Sequence, residues 1–155
     1  MTPAPVPLSF RAVQAADFES LLALRTEALH ESLARLGRLN PARSRARFQT
    51  SFSPELMRHI LVGGVAVGFV TVRPAGNELL LEHLYIRPGQ QGQGVGSAVL
   101  GVVLAEASAA QHDLRVDALR DSAANRFYVR HGFSQTGESE WDIHYIRRYV
   151  GELGR

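Results

Sequence analysis

The sequence predicts an α/β domain in which an antiparallel N-terminal meander leads into a parallel central strand pair flanked by helices. Three observations predict it. Apolar segments at 58–62 and 65–72 are joined by Gly63-Gly64, which supplies the positive φ angles of a tight hairpin. After residue 94 the pattern changes to helix, strand, helix, strand, and strand–helix–strand order makes parallel neighbours. Between the two regimes, Leu-Tyr-Ile-Arg-Pro-Gly-Gln-Gln-Gly-Gln-Gly-Val-Gly over 84–96 is an apolar strand running into a loop with almost no side chains.

Taken in order, residues 8–12 form a first short strand. Asp17, after Ala15 and Ala16, is placed to cap a helix that carries Phe18, Leu21, Leu22, Leu24, Leu29 and Leu33 and ends near Gly37. Asn40-Pro41 provides a cap and a first-turn proline for a second helix over about 41–52, and Ser53-Pro54 breaks it. The hairpin strands follow, Pro74-Ala75-Gly76-Asn77 turns the chain, and residues 78–86 complete the meander. Ser97, Ala98, Val99, Leu100, Val102, Val103, Leu104, Ala105 and Ala107 give a helix over about 94–110 the small, apolar surface that packs on a sheet. A strand at 114–119, a helix at 122–131 and strands at 133–137 and 141–149 close the chain. In the last strand Trp141, Ile143 and Tyr145 alternate toward the core, leaving Asp142 and His144 on the other face.

Bulk properties narrow the function. The 155 residues with 45% hydrophobic content suit a single domain over 1–155 with its core at about 8–149. Cysteine is absent, which excludes disulfides, thiolate metal sites and a cysteinyl enzyme intermediate. The N-terminal Met-Thr-Pro-Ala-Pro-Val-Pro has neither a basic nor a long apolar region, and no window reaches a membrane span, so the expectation is a cytoplasmic protein without membrane attachment. Arginine supplies all 17 basic residues, yet the net charge is only +2. The run Arg35, Arg38, Arg43, Arg45 and Arg47 lacks interleaved aromatics beyond Phe48 and reads as a solvated helix face, so no nucleic-acid partner is expected. The histidines at 30, 59, 112, 131 and 144 show no helical pair four apart, and no metal is expected.

The glycine loop is the segment that carries chemistry. A helix start has unpaired N–H donors and the positive end of a dipole, and glycines let an anion approach the main chain. Phosphate or pyrophosphate is the natural guest. A Walker loop is excluded because the chain has no lysine, and the Gly92, Gly94, Gly96 spacing is not that of a dinucleotide fingerprint.

Arg87-Pro88 followed by Gln91-Gly92-Gln93-Gly94-Val95-Gly96 resembles the acetyl-coenzyme A signature of the GNAT N-acetyltransferase superfamily, Gln/Arg-x-x-Gly-x-Gly/Ala after a strand ending near a proline. A second segment agrees: Asn125-Arg126-Phe127-Tyr128-Val129-Arg130-His131-Gly132-Phe133 is similar to the family's later helix, with a tyrosine four residues before a Gly-Phe that starts the next strand. The resemblance spans roughly residues 10–148. It implies a GNAT-like acyl-CoA N-acyltransferase fold and acetyl transfer from acetyl-coenzyme A to a primary amine of a small molecule, by direct attack in a ternary complex. It also implies a homodimer as an expectation.

Such a transfer needs a held thioester, a neutral amine, a stabilised oxyanion and a proton for the departing thiolate. Main-chain N–H groups of Gln91, Gly92, Gln93, Gly94, Val95 and Gly96, with Ser97 behind them, would hold the pyrophosphate, and the Gln91 side chain would add a hydrogen bond where the family often has arginine. The resemblance places the pantetheine arm along Leu84, Tyr85 and Ile86, with a main-chain N–H near Tyr85 or Ile86 polarising the carbonyl. The family's pantetheine asparagine, seven residues before the tyrosine, is Asp121 here, with Ser122 next and Asn125 closer, so the contact lies among these three. Tyr128 would serve as the acid, because a phenol of pKa about 10 can protonate a thiolate whose conjugate acid has a pKa of about 8.5. Ordinary aromatic packing is the competing explanation. Glu82 and His83 compete as general base, on opposite faces of one strand, Glu82 favoured as a carboxylate that attracts the amine cation. Against these stand a plain ion pair for Glu82 and a hydrogen-bonded sheet position for His83. Arg43, Arg47 and Phe48 border the acceptor by analogy with the family. Two other functions compete with transfer to a small amine: a non-catalytic acyl-coenzyme A sensor, and acetylation of a protein N-terminus or lysine.

Overall fold

Glycine and proline set the connections, and the elements follow from them. In the computed structural model, which describes residues 6–151, β1 (Leu8–Ala12) pairs antiparallel with β2 (Met57–Val62), Leu8 opposite Val62 and Ala12 opposite Arg58. Gly63 and Gly64 have φ of +58° and +83°, so a two-residue turn carries β2 into β3 (Val65–Ala75), with Val62 directly opposite Val65. A second two-residue connection, Gly76 (φ +66°) and Asn77, leads to β4 (Glu78–Ile86). The sequence placed the end of β3 at residue 72 and its turn from Pro74. The strand instead runs through Pro74, which is exposed at its end, where a missing N–H is tolerated.

Between β1 and β2 lie a 3-10 turn at Ala15–Asp17, α1 (Phe18–Arg35) and α2 (Pro41–Ser51). α1 stops where Gly37 turns left-handed (φ +67°), which lets Arg38 N–H reach the Leu33 carbonyl and Gly37 N–H that of Ala34. α2 starts as its sequence implies: Asn40 Oδ1 accepts from the Arg43 amide at 3.0 Å and Pro41 occupies the first helical position. Asp17 behaves differently from the expected cap of α1. Its Oδ2 accepts from the Gln14 amide at 2.8 Å and lies 3.0 Å from His59 Nε2, because Asp17 closes the 3-10 turn with a helical backbone and its side chain folds back to the start of that turn instead of over α1.

β4 leads through the glycine loop to α3 (Val95–Ala109), then β5 (Asp113–Leu119), α4 (Ala124–Arg130), β6 (Ser134–Glu138) and β7 (Asp142–Arg147). β5 pairs in parallel with β4 over four positions, Glu78↔Asp113 to Leu81↔Val116, and antiparallel with β7. The seven strands run in the order β1-β2-β3-β4-β5-β7-β6, a mixed sheet with one parallel pair. α4 is shorter than the helix expected at 122–131: Ser122 and Ala123 belong to the turn that leads into it, and the left-handed Gly132 (φ +86°) closes it after Arg130. In β7 the core positions are Tyr145 and Ile146, with Trp141 and Ile143 only half-buried; two successive buried residues mean that both faces of the strand are covered there.

The chain groups into two compact units. One comprises residues up to 71 and 83–100, the other 72–82 and 101 onward. The first has its own core of Val13, Leu21, Leu24, Phe48, Met57 and Phe69, with Phe18, Leu22, Phe52 and Tyr85 packed against it. In the second, Leu81, Leu114, Val116, Ala118, Tyr128, Phe133, Tyr145 and Ile146 are buried. Residues 1–5, on which part of the expectation of a cytoplasmic protein rests, lie outside the described residues.

Candidate functional site

In the first unit, β4 ends at Ile86 and the chain makes a 3-10 turn at Pro88–Gln90 before an exposed stretch, 91–94, that opens α3. Gly92 and Gly94 have φ of +79° and +80°, which L side chains rarely adopt. A Cβ at Gly92 would meet nothing within 4 Å, and one at Gly94 only Val6 Cγ2 at 3.9 Å. Both glycines therefore owe their place to backbone conformation and to the open side they present, not to crowding. The first intrahelical bond, Ala98 N–H to the Gly94 carbonyl at 3.0 Å, puts the amides of Val95, Gly96 and Ser97 in the turn that has no intrahelical acceptor. A loop of this conformation ahead of 15 helical residues suits a pyrophosphate, since donors and dipole point the same way. Gln91 braces the loop: its Nε2 donates to the Ile86 carbonyl at 3.0 Å. Gln93 is exposed on it.

Leu84, Tyr85 and Ile86 lie past the last position that β4 pairs with β5, and the Arg87 amide returns to the Val67 carbonyl at 2.8 Å. Gly68 makes that return possible. A Cβ there would stand 2.2 Å from the Tyr85 carbonyl oxygen, so only glycine lets β3 and β4 come this close. A lone glycine inside an apolar strand was the sequence signal for it.

The two base candidates sit in unlike surroundings. His83 is buried in the first unit, with Nδ1 2.9 Å from Thr71 Oγ1 and Nε2 3.4 Å from Ser51 Oγ. Its ring lies 5.4 Å from Phe48, 5.6 Å from Phe69 and 5.9 Å from Tyr85. Glu82, in the second unit, is gripped by Arg73, whose Nε reaches both carboxylate oxygens at 3.1 and 3.2 Å and whose Nη2 reaches one at 2.9 Å. Arg73, Thr71 and Ser51 had no distinguishing sequence signal, because their partners are set by pairing and packing.

Tyr128 is buried on α4 in the second unit, its ring 5.3 Å from Phe133 and 6.4 Å from Tyr145. The spacing that marked it in the sequence has a local cause. Gly132 is left-handed (φ +86°), so the Phe133 amide bonds back to the Tyr128 carbonyl at 3.1 Å and the Gly132 amide to that of Val129 at 3.1 Å. This helix-ending motif brings residues five apart into apolar contact, here Tyr128 and Phe133. Asn125 is tied into the same unit: Nδ2 donates to the carbonyls of Leu119 and Ser122 at 2.8 and 3.0 Å, and Oδ1 accepts from Tyr145 Oη at 2.7 Å. Burial raises the Tyr145 pKa above its ordinary value, which keeps that donor protonated. Ser122 Oγ donates to the Leu119 carbonyl at 2.7 Å. His144 Nδ1 lies 2.6 Å from Asp117 Oδ1 across the β5–β7 pair. Among the described residues no group of three or more side chains is placed to hold a metal ion, and no helix is long and apolar enough to cross a membrane.

The family model for an acetyltransferase (GNAT) domain matches residues 57–135, just over half of the chain, from β2 through the glycine loop and α4 into β6. No curated protein matches in sequence. Among solved structures, the chain is similar to the PaiA N-acetyltransferase of Thermoplasma acidophilum in complex with coenzyme A, with 17% identity, TM-score 0.72, and coverage of 92% of this chain and 99% of that one. A GCN5-related N-acetyltransferase from Rhodopseudomonas palustris gives 20%, 0.74, 96% and 99%. The ribosomal-protein-S18-alanine N-acetyltransferase of Escherichia coli gives 18%, 0.68, 94% and 97%. At such identities these likenesses show the fold.

Proposed function

The chain belongs to the GNAT acetyltransferase family, and from that premise we propose that it transfers acetyl from acetyl-coenzyme A to a primary amine of a small molecule, by direct attack in a ternary complex. The observation that carries the reading is the loop at 91–94: two left-handed glycines with open Cβ positions, immediately ahead of the α3 N-terminus. The amides of Val95, Gly96 and Ser97 would hold the pyrophosphate, and Leu84, Tyr85 and Ile86 would run beside the pantetheine arm. Acetyl-coenzyme A supplies the acetyl thioester. Direct transfer suits a chain without cysteine.

Tyr128 would hold a proton at its hydroxyl for the leaving sulfur. The base is assigned between the two candidates by what already surrounds them. Arg73 occupies both oxygens of Glu82, whereas His83 sits among rings with a hydroxyl on each side. His83 is therefore the better placed to take a proton from the amine, and Glu82 the better placed as the anion that fixes Arg73. The acceptor is the expected partner, alongside a second copy of the chain; the protein would work in the cytoplasm without nucleic acid or membrane.

The test is thiol release from acetyl-coenzyme A over a panel of small amines, peptides with free N-termini and lysine peptides, with products identified by mass spectrometry. An N-acetylated small amine is the expected product. Cofactor binding by calorimetry without turnover on any acceptor would instead make the chain an acyl-coenzyme A sensor, and acetylation of peptides alone would move the acceptor to protein.

A further inference from the structure

α1 carries one feature that the acetyl-transfer chemistry leaves unexplained. Arg25 lies on it between the core-facing Leu21, Leu24 and Leu29, and its Nε and Nη1 atoms are buried without any hydrogen-bond acceptor among the described residues. The positions one turn away, Leu21, Leu22, Ala28 and Leu29, offer no carboxylate. Of the acidic residues of α1 and its leading turn, Asp17 is committed to Gln14 and His59, Glu19 to Arg45 and Glu31 to Arg35, while the exposed Glu27, two positions after Arg25, does not share its side of the helix. The Phe48 ring does not compensate, since the guanidinium carbon is 6.0 Å from its centroid, at the outer limit of a cation–π contact. A buried guanidinium N–H without an acceptor is costly, and a carboxylate is the charged acceptor that such a donor binds most strongly.

What Phe48 touches on its other sides indicates the ligand. Its ring lies 5.4 Å from Phe18, 5.8 Å from Phe52 and 5.4 Å from His83. Arg25 and the base candidate His83 thus flank one aromatic side chain within the first unit. We propose that Arg25 binds a carboxylate of the acceptor, so that the acceptor is an amine that also bears a carboxylate, of the amino-acid type. Naming the carboxylate's owner as the acceptor rests on the acetyl transfer proposed above; the carboxylate site itself does not.

The test separates the two. Full-chain protein labelled with 15N-arginine is titrated with phenylacetate and with phenylacetamide, following the arginine Nε–H resonances, with Arg25 assigned from the spectrum of Arg25→Lys. Saturable movement of the Arg25 resonance with phenylacetate, and binding of phenylacetamide weaker by about tenfold or more, is expected from the loss of a charge-assisted hydrogen bond. An Arg25 resonance that ignores phenylacetate overturns the site, and this measurement needs no destabilising variant. Kinetics then compare phenylalanine, phenylalaninamide and phenethylamine. Phenylalanine should show the lowest KM, and Arg25→Gln should raise that KM about tenfold while leaving that of the amide within about twofold. Equal KM values for the three amines in the unaltered protein overturn the acceptor assignment. A responding Arg25 resonance with no acetylation of any amine keeps the carboxylate site and removes the acetyl-transfer reading.

Discussion

At the residue scale, an ionised side chain does its work through partners that hold one protonation state. Asp17 shows this. Its carboxyl is held below its ordinary value of 3.8, first by the Gln14 amide and then by the hydrogen bond with His59. A lowered folded-state pKa means that the stabilisation is complete above 3.8 and is lost as pH falls through the folded value. With the side chain 30% exposed, the contribution is discounted for solvent screening to roughly 1 kcal/mol. Asp17→Asn should therefore lower the urea midpoint at neutral pH, and the gap to the unaltered protein should close on acidification below 3.8. A gap that persists there would remove the carboxylate from the account. Tyr128 is the proposed proton donor. Tyr128→Phe should reduce kcat by about a hundredfold or more, the range of a lost general acid, while calorimetric affinity for coenzyme A stays within a few-fold. The sequence marked Tyr128 for chemistry and Asp17 only as a helix cap; the hydrogen bond of Asp17 depends on His59, 42 positions away.

At the element scale, helix ends are where local rules decide the structure. α1 and α4 both close on a left-handed glycine, Gly37 and Gly132. α3 closes with the same bonds, His112 N–H to the Ala107 carbonyl and Gln111 N–H to that of Ser108, but with Gln111 at φ +59°. A side chain in that conformation costs about 1 kcal/mol, so Gln111→Gly should stabilise the protein by about 0.5–1 kcal/mol, read from a raised urea midpoint at unchanged m-value. The start of α3 answers differently. Gly94→Val forces a branched residue into φ +80° and fills the open side of the loop. It should weaken coenzyme A binding by at least about tenfold in calorimetry, since the donors there act together. Unchanged affinity would mean that the loop does not hold the cofactor. These glycines and the two-residue hairpins were legible because a positive φ is a demand on one residue. The extension of β3 through Pro74 and the late start of α4 were not.

At the scale of the whole molecule, the matched model crosses both units, since residues 57–135 include the glycine loop in one and Tyr128 in the other. Binding of coenzyme A to the native state should raise Tm. At a ligand concentration of about 100 Kd the gain is about 2.7 kcal/mol, equivalent to roughly 5–10 °C for a chain of this length. A melting curve that ignores the ligand would contradict the proposed cofactor. By itself the sequence determined the α/β class, the order of elements, the anion-ready loop and the family, because glycine, proline and hydrophobic period act over a few neighbouring residues. Only the tertiary structure decided that Arg73 grips Glu82, that His83 lies between Thr71 and Ser51, that Asn125 holds Tyr145, and that Nε and Nη1 of Arg25 are buried without an acceptor among the described residues. Those partnerships join positions brought together by strand register and core packing, and no local preference of the chain encodes which distant side chain will fill the space beside another.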